Sequence, residues 1–155
     1  MRATIEIDSL DRRIIALLQG DGRMPNTKIA SQLGVSEGTV RKRIERLFEE
    51  EIIRVTAIVD PAKLGYDIVA FIAIESDLTK VDDLAERLAG LREVRYVAHA
   101  TGTFDILAEV VVRSPQDLHD LVTKTIATMD GVRRTETSIV PKIAKKSLDY
   151  RLISE

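Results

Sequence analysis

The sequence predicts an α+β fold, with an N-terminal winged helix-turn-helix domain and a C-terminal ferredoxin-like βαββαβ domain. Apolar residues first recur at helical spacing, whereas the later residues alternate strand-like and helical patterns in the order β-α-β-β-α-β. The period changes to strand-like at Ile52. These patterns predict a helix-turn-helix domain at 1–51, a hinge strand and linker at 52–66, the ferredoxin-like domain at 67–141 and a tail at 142–155.

Three helices are expected in the first domain. Asp8 predicts the start of the first helix, because an acidic residue three positions later completes a capping box. The second helix is expected at 26–33, and Gly34 permits the left-handed turn that ends it. Ser36 caps a third helix over 37–48, whose buried residues follow helical spacing. They are Val40, Ile44 and Leu47.

The second domain is predicted from strands that alternate with helices. The strands are expected at 67–75, 93–101, 103–112 and 132–140. One helix is expected over 80–90, with Thr79 as its cap. A second helix follows Ser114-Pro115, because this pair supplies a cap and a proline in the first turn, and it ends at Gly131.

The face of this sheet opposite the helices is expected to be strongly apolar. Alternation along 103–112 points the even-numbered residues toward the helices and the odd-numbered residues outward. The expected outer residues are Asp105, Leu107, Glu109, Val111, Val97, His99, Thr101, Thr135, Thr137 and Ile139. The strand at 67–75 is apolar on both faces. Since a one-sided sheet rarely leaves its other face so apolar, we expect a second copy of the chain to cover it and form a homodimer.

Basic charge is concentrated on the third helix. The formal net charge is −2, yet residues 36–47 hold four basic residues against two acidic ones. Burial of the apolar stripe leaves outward residues of the kind that a recognition helix places in the major groove. We expect bases to be read by Glu37, Gly38, Thr39, Arg41 and Lys42, with Arg43 and Arg46 on or near the phosphate backbone.

Two other interpretations of this helix stay open at the level of sequence. In the first, Arg43 is held in an internal ion pair with Glu45, Glu49 or Glu50. In the second, the helix belongs to a three-helix domain whose exposed face is basic by coincidence.

No pattern in the chain indicates a metal, a cofactor or catalysis. The sequence has no cysteine, and its two histidines, His99 and His119, have no zinc spacing. It contains no phosphate-binding loop, nucleotide fingerprint or nucleophile elbow. No apolar run approaches the roughly 18 residues of a membrane span, and no signal-peptide pattern is present. We therefore expect a cytoplasmic protein that is not an enzyme, uses no cofactor and binds no membrane.

A series of short motifs runs through both domains. They are Ser9-Leu10-Asp11-Arg12-Arg13-Ile14, Asp21-Gly22-Arg23, Ile29-Ala30…Gly34-Val35-Ser36, Thr39-Val40…Arg43-Ile44…Leu47, Ile52-Ile53, Val59-Asp60-Pro61…Leu64-Gly65, Thr101-Gly102-Thr103-Phe104-Asp105 and Thr135…Thr137. In these motifs, and in their order, the chain resembles the Lrp/AsnC (feast/famine) family of bacterial and archaeal regulators. Two positions depart from that pattern, because Glu51 replaces a glycine that ends the third helix and Pro25 replaces a capping serine.

The resemblance implies a transcription regulator that binds double-stranded DNA and responds to a small molecule, an amino acid. It also implies a homodimer that assembles into higher oligomers. In the family, a Gly-x-aromatic-Asp turn lies where dimers meet and contributes to an effector pocket. The matching positions are Gly102, Thr103, Phe104 and Asp105, with Thr135 and Thr137. A carboxylate can bind an ammonium group there, while hydroxyl and backbone N–H groups can bind a carboxylate. The residues alone also allow an ordinary solvated turn.

Two rival functions are weaker. Some haem-biosynthesis decarboxylases are similar to this family in fold, but a tetrapyrrole with many carboxylates requires a positive, histidine-bearing pocket. Residues 63–155 instead hold 13 lysines and arginines against 15 aspartates and glutamates. A metabolite sensor without DNA binding would not need the basic third helix.

Overall fold

The computed structural model describes residues 6–145, which form two compact units. The N-terminal unit ends at Ile58, and the C-terminal unit extends from Val59 to Lys145. The first five residues of the predicted helix-turn-helix domain and residues 146–155 of the predicted tail lie outside the described residues.

The N-terminal unit consists of three helices that begin and end close to their predicted bounds. They are α1 (Ser9–Gly20), α2 (Asn26–Leu33) and α3 (Glu37–Glu49). The side chain of Asp8 accepts a hydrogen bond from the N–H of Asp11, whose own side chain accepts from the N–H of Asp8. This is the predicted capping box. The side chain of Ser36 accepts from the N–H of Thr39 and caps α3 as predicted.

The interior of this unit is apolar except for one carboxylate. Residues from all three helices form its core, namely Ile14, Ile15, Ile29, Ala30, Val40, Ile44 and Leu47. Asp11 is fully buried within the same unit. Its three-residue spacing from Ile14 places it on the buried face of α1.

The two positions that depart from the family pattern leave the helix order intact. Pro25 precedes α2 without a side-chain capping bond, and Gly34 ends α2 with φ at 70°. After α3, Glu51 adopts φ 55°, the left-handed region that a glycine would occupy without strain. A non-glycine residue there costs about 1 kcal/mol. The turn after α3 therefore keeps its shape without its glycine.

The hinge strand predicted within residues 52–66 is absent from the structure. Residues 53–60 have no regular secondary structure, and the one sheet of residues 6–145 does not include them. Val55, Ile58 and Val59 are at least half exposed there. The alternating pattern is insufficient by itself, because a strand must pair its backbone N–H and C=O groups with a neighbour. The wing expected of the first domain therefore contains no strand within the described residues.

A four-stranded antiparallel sheet with helices on one face forms the C-terminal unit. After a 3₁₀ turn at Ala62–Leu64, its elements are β1 (Ile68–Ser76), α4 (Val81–Ala89), β2 (Val94–His99), β3 (Ile106–Val112), α5 (Pro115–Asp120) and β4 (Val132–Ile139). The strand order β2-β3-β1-β4 is the predicted ferredoxin-like arrangement. Its core includes Ile72, Ile74, Leu84, Leu88, Ile106, Val110 and Ile126.

The ends of several elements differ from prediction, three of them for reasons that the structure shows. Lys80, not Thr79, precedes α4, because the Thr79 hydroxyl donates to Asp77 Oδ1 at 2.8 Å. β3 begins at Ile106 and not at residue 103, since hydrogen bonds to β1 hold the preceding residue in a loop. After α5 the chain continues as a π-helical turn, Leu121–Ile126. The wider turn keeps both of its terminal residues buried.

Strand register also corrects the predicted outer face at β2. Residues directly opposite each other in an antiparallel pair share a face of the sheet. His99 pairs with Ile106, and Val97 pairs with Ala108, so both lie on the face that packs against the helices. Thr101 lies beyond the end of β2. The placement of all three on the outer face was wrong, because a strand's own alternation does not say which set points outward.

Candidate nucleic-acid interface and effector site

One side of α3 is an open basic surface. Arg41 has 65% of its side chain exposed, and its only ion pair within residues 6–145 is a loose one to Glu45 at 4.0 Å. Lys42 is exposed beside it. In the first turn, Glu37 and Gly38 are exposed, and the Thr39 hydroxyl lies 2.8 Å from the Ser36 hydroxyl. The five predicted base-reading residues therefore lie together at the N-terminal half of the helix.

The other two cations of α3 are used inside the N-terminal unit. Arg43 Nη1 donates to Asp8 at 2.5 Å and to Asp11 at 3.2 Å. Arg46 Nη2 donates to the same buried Asp11 carboxylate at 2.5 Å. The alternative prediction of an internal ion pair for Arg43 is confirmed, but its predicted partners are wrong. The partners are aspartates of α1 and its cap rather than glutamates of α3.

We call the four residues Asp8, Asp11, Arg43 and Arg46 the α1–α3 ion cluster. Contacts within it shift the pKa values of Asp8 and Arg43. The N–H of Asp11, and then the Arg43 guanidinium, lower the pKa of Asp8. Hydrogen bonds from Arg43 to Asp8 and Asp11 raise the pKa of the Arg43 guanidinium. Asp8 and Arg43 therefore stay charged near neutral pH, and their ion pair holds α3 against the start of α1.

Sequence reasoning missed the aspartates as partners, although a signal was present. Asp11 stands among apolar residues at a position that faces the core, where an unpaired carboxylate would be costly. Such a residue requires a cation, and α3 carries the cations of this unit that project toward the core. The separation of more than 30 residues between Asp11 and Arg43 hid the pairing from local spacing rules.

The turn predicted to contribute to an effector pocket lies before β3. Gly102 has φ at 138°, and Thr103 is exposed. The Phe104 ring lies under the Arg134 guanidinium at 5.6 Å. Asp105 Oδ2 accepts a hydrogen bond from the N–H of Ser76 at 2.7 Å and from its hydroxyl at 3.2 Å. Asp105 therefore fastens the loop to the end of β1.

Thr135 and Thr137 do not lie on the outer face of the sheet, contrary to expectation. They pair with Ile74 and Ile72, which are fully buried under the helices. Ile139 lies on that same side, opposite Ala70. The two threonines therefore lie on the helix face of an edge strand, whereas Asp105 of the predicted turn is bonded to Ser76 at the end of β1.

The outer face of the sheet is apolar across its centre. Its residues are Val69, Phe71, Ala73, Tyr96, Ala98, Leu107 and Glu109, each at least partly exposed. Tyr96 is 53% exposed. The described part of the chain provides no second layer over these side chains.

Residues 6–145 contain neither a membrane-spanning helix nor a cluster of metal-ligating side chains. No helix there is long and apolar enough to cross a bilayer. No group of three potential metal-ligating side chains occurs in the same range.

A basic recognition helix, joined in one chain to a ferredoxin-like sheet unit, defines the class of helix-turn-helix regulators with a separate ligand-binding domain. Residues 7–47 match the AsnC-type helix-turn-helix domain, and residues 69–149 match the Lrp/AsnC ligand binding domain. The chain therefore belongs to the Lrp/AsnC family of transcriptional regulators.

Relatives and solved structures agree with this assignment. An HTH-type transcriptional regulator of Pyrococcus abyssi is 44% identical over 91% of this chain and 90% of its own. The regulator LrpA of Pyrococcus horikoshii is 36% identical over 86% of this chain and 96% of its own. The structure of E. coli AsnC superposes with a TM-score of 0.87 and 33% identity, over 92% of this chain and 97% of that chain.

Proposed function

We propose that the chain binds specific sites in double-stranded DNA by placing the N-terminal half of α3 in the major groove. Glu37, Gly38, Thr39, Arg41 and Lys42 would read base edges. The observation that carries this proposal is the division of the α3 cations, since Arg41 and Lys42 face solvent while the other two are paired inward. A free guanidinium can make a bidentate contact with guanine.

Arg43 and Arg46 have a different part in this proposal. Both were expected on or near the phosphate backbone, yet their guanidinium groups bind Asp8 and Asp11. We therefore assign them to the orientation of α3 rather than to direct contact with DNA. Orientation matters for readout, because base contacts depend on the angle at which the helix enters the groove.

Gel-shift titration of Arg41→Ala and Lys42→Ala against a selected binding site tests the DNA assignment. Each variant should lose about 1–3 kcal/mol of specific binding and discriminate less at one base position. The unfolding temperature should not change, because both side chains are exposed. Arg12→Ala, on the exposed side of α1, serves as the matched control. Wild-type affinity in both α3 variants would contradict the assignment.

We also propose a homodimer formed through the outer face of the sheet, from which higher oligomers assemble. Its apolar centre would be covered by the same face of a second chain, in a C2 arrangement. Such a dimer would favour an inverted-repeat DNA site with half-sites about 10 bp apart or a multiple of that. Ala73→Arg places a charge at the centre of this face, next to Leu107 and Glu136. Light scattering should then report a monomer; an unchanged mass would exclude this face.

The effector in this proposal is an amino acid, and the Gly102–Asp105 turn contributes to its site. A protein of the same fold, a regulator of Neisseria meningitidis at 23% identity and TM-score 0.86, was solved with L-Met. Only Oδ2 of Asp105 takes part in hydrogen bonds within the described residues, so Oδ1 is available to an ammonium group. Thr135 and Thr137 have no part in the proposed site. Asp105→Asn should weaken amino-acid binding roughly 10- to 150-fold in calorimetry.

We place this regulator in the cytoplasm and assign it no catalytic activity. The decarboxylase alternative lacks support, because the excess of acidic residues over residues 63–155 does not favour a polyanionic tetrapyrrole. The sensor without DNA binding would leave the exposed pair Arg41 and Lys42 without a use.

A further inference from the structure

The C-terminal unit contains an open cavity of about 860 Å³ at the end of β3 that leads into α5. Its floor is apolar, with buried side chains of Val111, Val112 and Leu121. The volume falls in the range of small-molecule sites. The Gly102–Asp105 turn lies at the opposite end of β3, so the cavity is a separate place in the same unit.

Two departures from regular backbone structure border this cavity. The register of β2 against β3 shifts between Val94 and Tyr96, so Arg95 lies at a β-bulge and lines the cavity. The π-helical turn after α5 contributes Leu121, Lys124 and Thr125 to the wall. Bulges and π-turns are concentrated near functional sites, where they redirect side chains. The β-bulge and the π-helical turn therefore both direct side chains into the same cavity.

The charged residues of the wall are only partly paired with each other. Arg92 binds Glu93 at 2.7 Å, and Lys124 binds Asp120 at 2.9 Å. Arg95, Arg113 and Asp117 also line the cavity, and none of the three has an ion pair within residues 6–145.

Arg113 is held in position by an aromatic ring. Its guanidinium packs over the Tyr66 ring at 4.9 Å, which orients the group without neutralising it. Two cations and one carboxylate therefore remain unmatched around an apolar floor.

We propose that this cavity binds a small molecule that carries a carboxylate and an ammonium group on an apolar body, namely an apolar α-amino acid. Arg95 and Arg113 bind the carboxylate, Asp117 binds the ammonium group, and the side chain lies on Leu121 and its apolar neighbours. Guanidinium–carboxylate pairs are the strongest hydrogen-bonded contacts available to such a ligand. The inference deepens the proposed amino-acid response, on which its regulatory meaning rests, by adding a second site.

Calorimetry with the full chain and each of the twenty amino acids tests the proposal, followed by the deaminated acid and the amide of the tightest binder. Arg95→Met and Asp117→Asn should each weaken binding at one site about 10- to 100-fold. Arg133→Met, on the opposite edge strand, is the matched control and should bind as wild type does. Asp105→Asn should leave this site occupied. Thermal unfolding checks the fold of each variant.

Each outcome distinguishes this site from the proposed function. Wild-type affinity in both Arg95→Met and Asp117→Asn, or no binding of any probe, overturns the cavity assignment. Equal binding of the deaminated acid overturns the amino-acid assignment, because Asp117 then has no ammonium partner. If Asp105→Asn alone abolishes binding, the turn is the effector site and the cavity is not. If the cavity binds an amino acid that leaves DNA affinity unchanged, the site stands and its regulatory role fails.

Discussion

The two units of this chain stabilise their interiors in different ways. The N-terminal unit buries a carboxylate, Asp11, and binds it with two arginines of α3. The C-terminal unit buries an apolar core in which Ser76 is the one buried polar residue among those described. Sheet register fixes the strands of the second unit through backbone bonds. Helices have no such ladder between them, so the first unit uses directional ion pairs to set how α3 lies on α1.

The largest expected effect comes from removing the central charge of the α1–α3 ion cluster. Asp11→Asn leaves Arg43 and Arg46 without their buried partner and should lower the free energy of unfolding by roughly 2–3 kcal/mol. This is less than the cost for a wholly buried pair, because about a third of each guanidinium side chain reaches solvent. Urea unfolding followed by circular dichroism measures it.

A double-mutant cycle separates the ion pair from other consequences of that substitution. The Asp11→Asn/Arg46→Met variant should lose less stability than the sum of the two single losses, because they remove one shared interaction. The hydrogen bond between their side chains predicts that the two residues are coupled. Additive losses would contradict this, because they would show that Asp11 and Arg46 act independently.

A smaller effect is expected for the buried polar residue of the sheet unit. Ser76→Ala removes the hydroxyl donor to Asp105 but keeps the stronger backbone N–H contact. The loss should be about 1 kcal/mol, the usual net value of one hydrogen bond. Thermal unfolding of Ser76→Ala beside Asp11→Asn gives the comparison directly. A loss as large as that of Asp11→Asn would remove the distinction between the two interiors.

The smallest effect concerns pH and the exposed member of the cluster. The pKa of Asp8 is lowered in the folded chain from its ordinary value of 3.8. Its carboxylate therefore stabilises the fold fully at pH values above 3.8. That contribution is lost as the pH falls through the lowered pKa. Asp8→Asn retains a capping side chain and loses the charge. Its unfolding temperature should be below that of wild type at pH 7, and the difference should shrink below pH 3.8. A constant difference would exclude titration of Asp8 as the cause.

Much of the fold could be predicted from local signals. Asp8, Gly34 and Ser36 mark helix ends through backbone bonds that lie within a few residues, and the structure confirms all three. The faces of the edge strands could not be predicted in this way. Thr135 and Thr137 alternate correctly, but only pairing with β1 shows that their side of β4 is the helix side.

The candidate DNA surface was predictable in part for the same reason. The spacing of apolar residues along α3 identifies which residues point away from the core. It correctly predicts that Arg41 and Lys42 are exposed. It does not show whether an outward or sideways arginine is free, because the partner lies on another helix. The aspartate partners of Arg43 and Arg46 could not be predicted for that reason.

The central claim is that α3 divides its cations between DNA contact and helix orientation, and the salt dependence of DNA binding tests it most directly. Each phosphate contact contributes about 0.9 to the slope of log affinity against log salt concentration. Arg46→Met should therefore weaken binding to a selected site while leaving that slope at its wild-type value, measured well below the unfolding temperature. A slope reduced by about one in Arg46→Met would place its guanidinium on a phosphate and contradict the account.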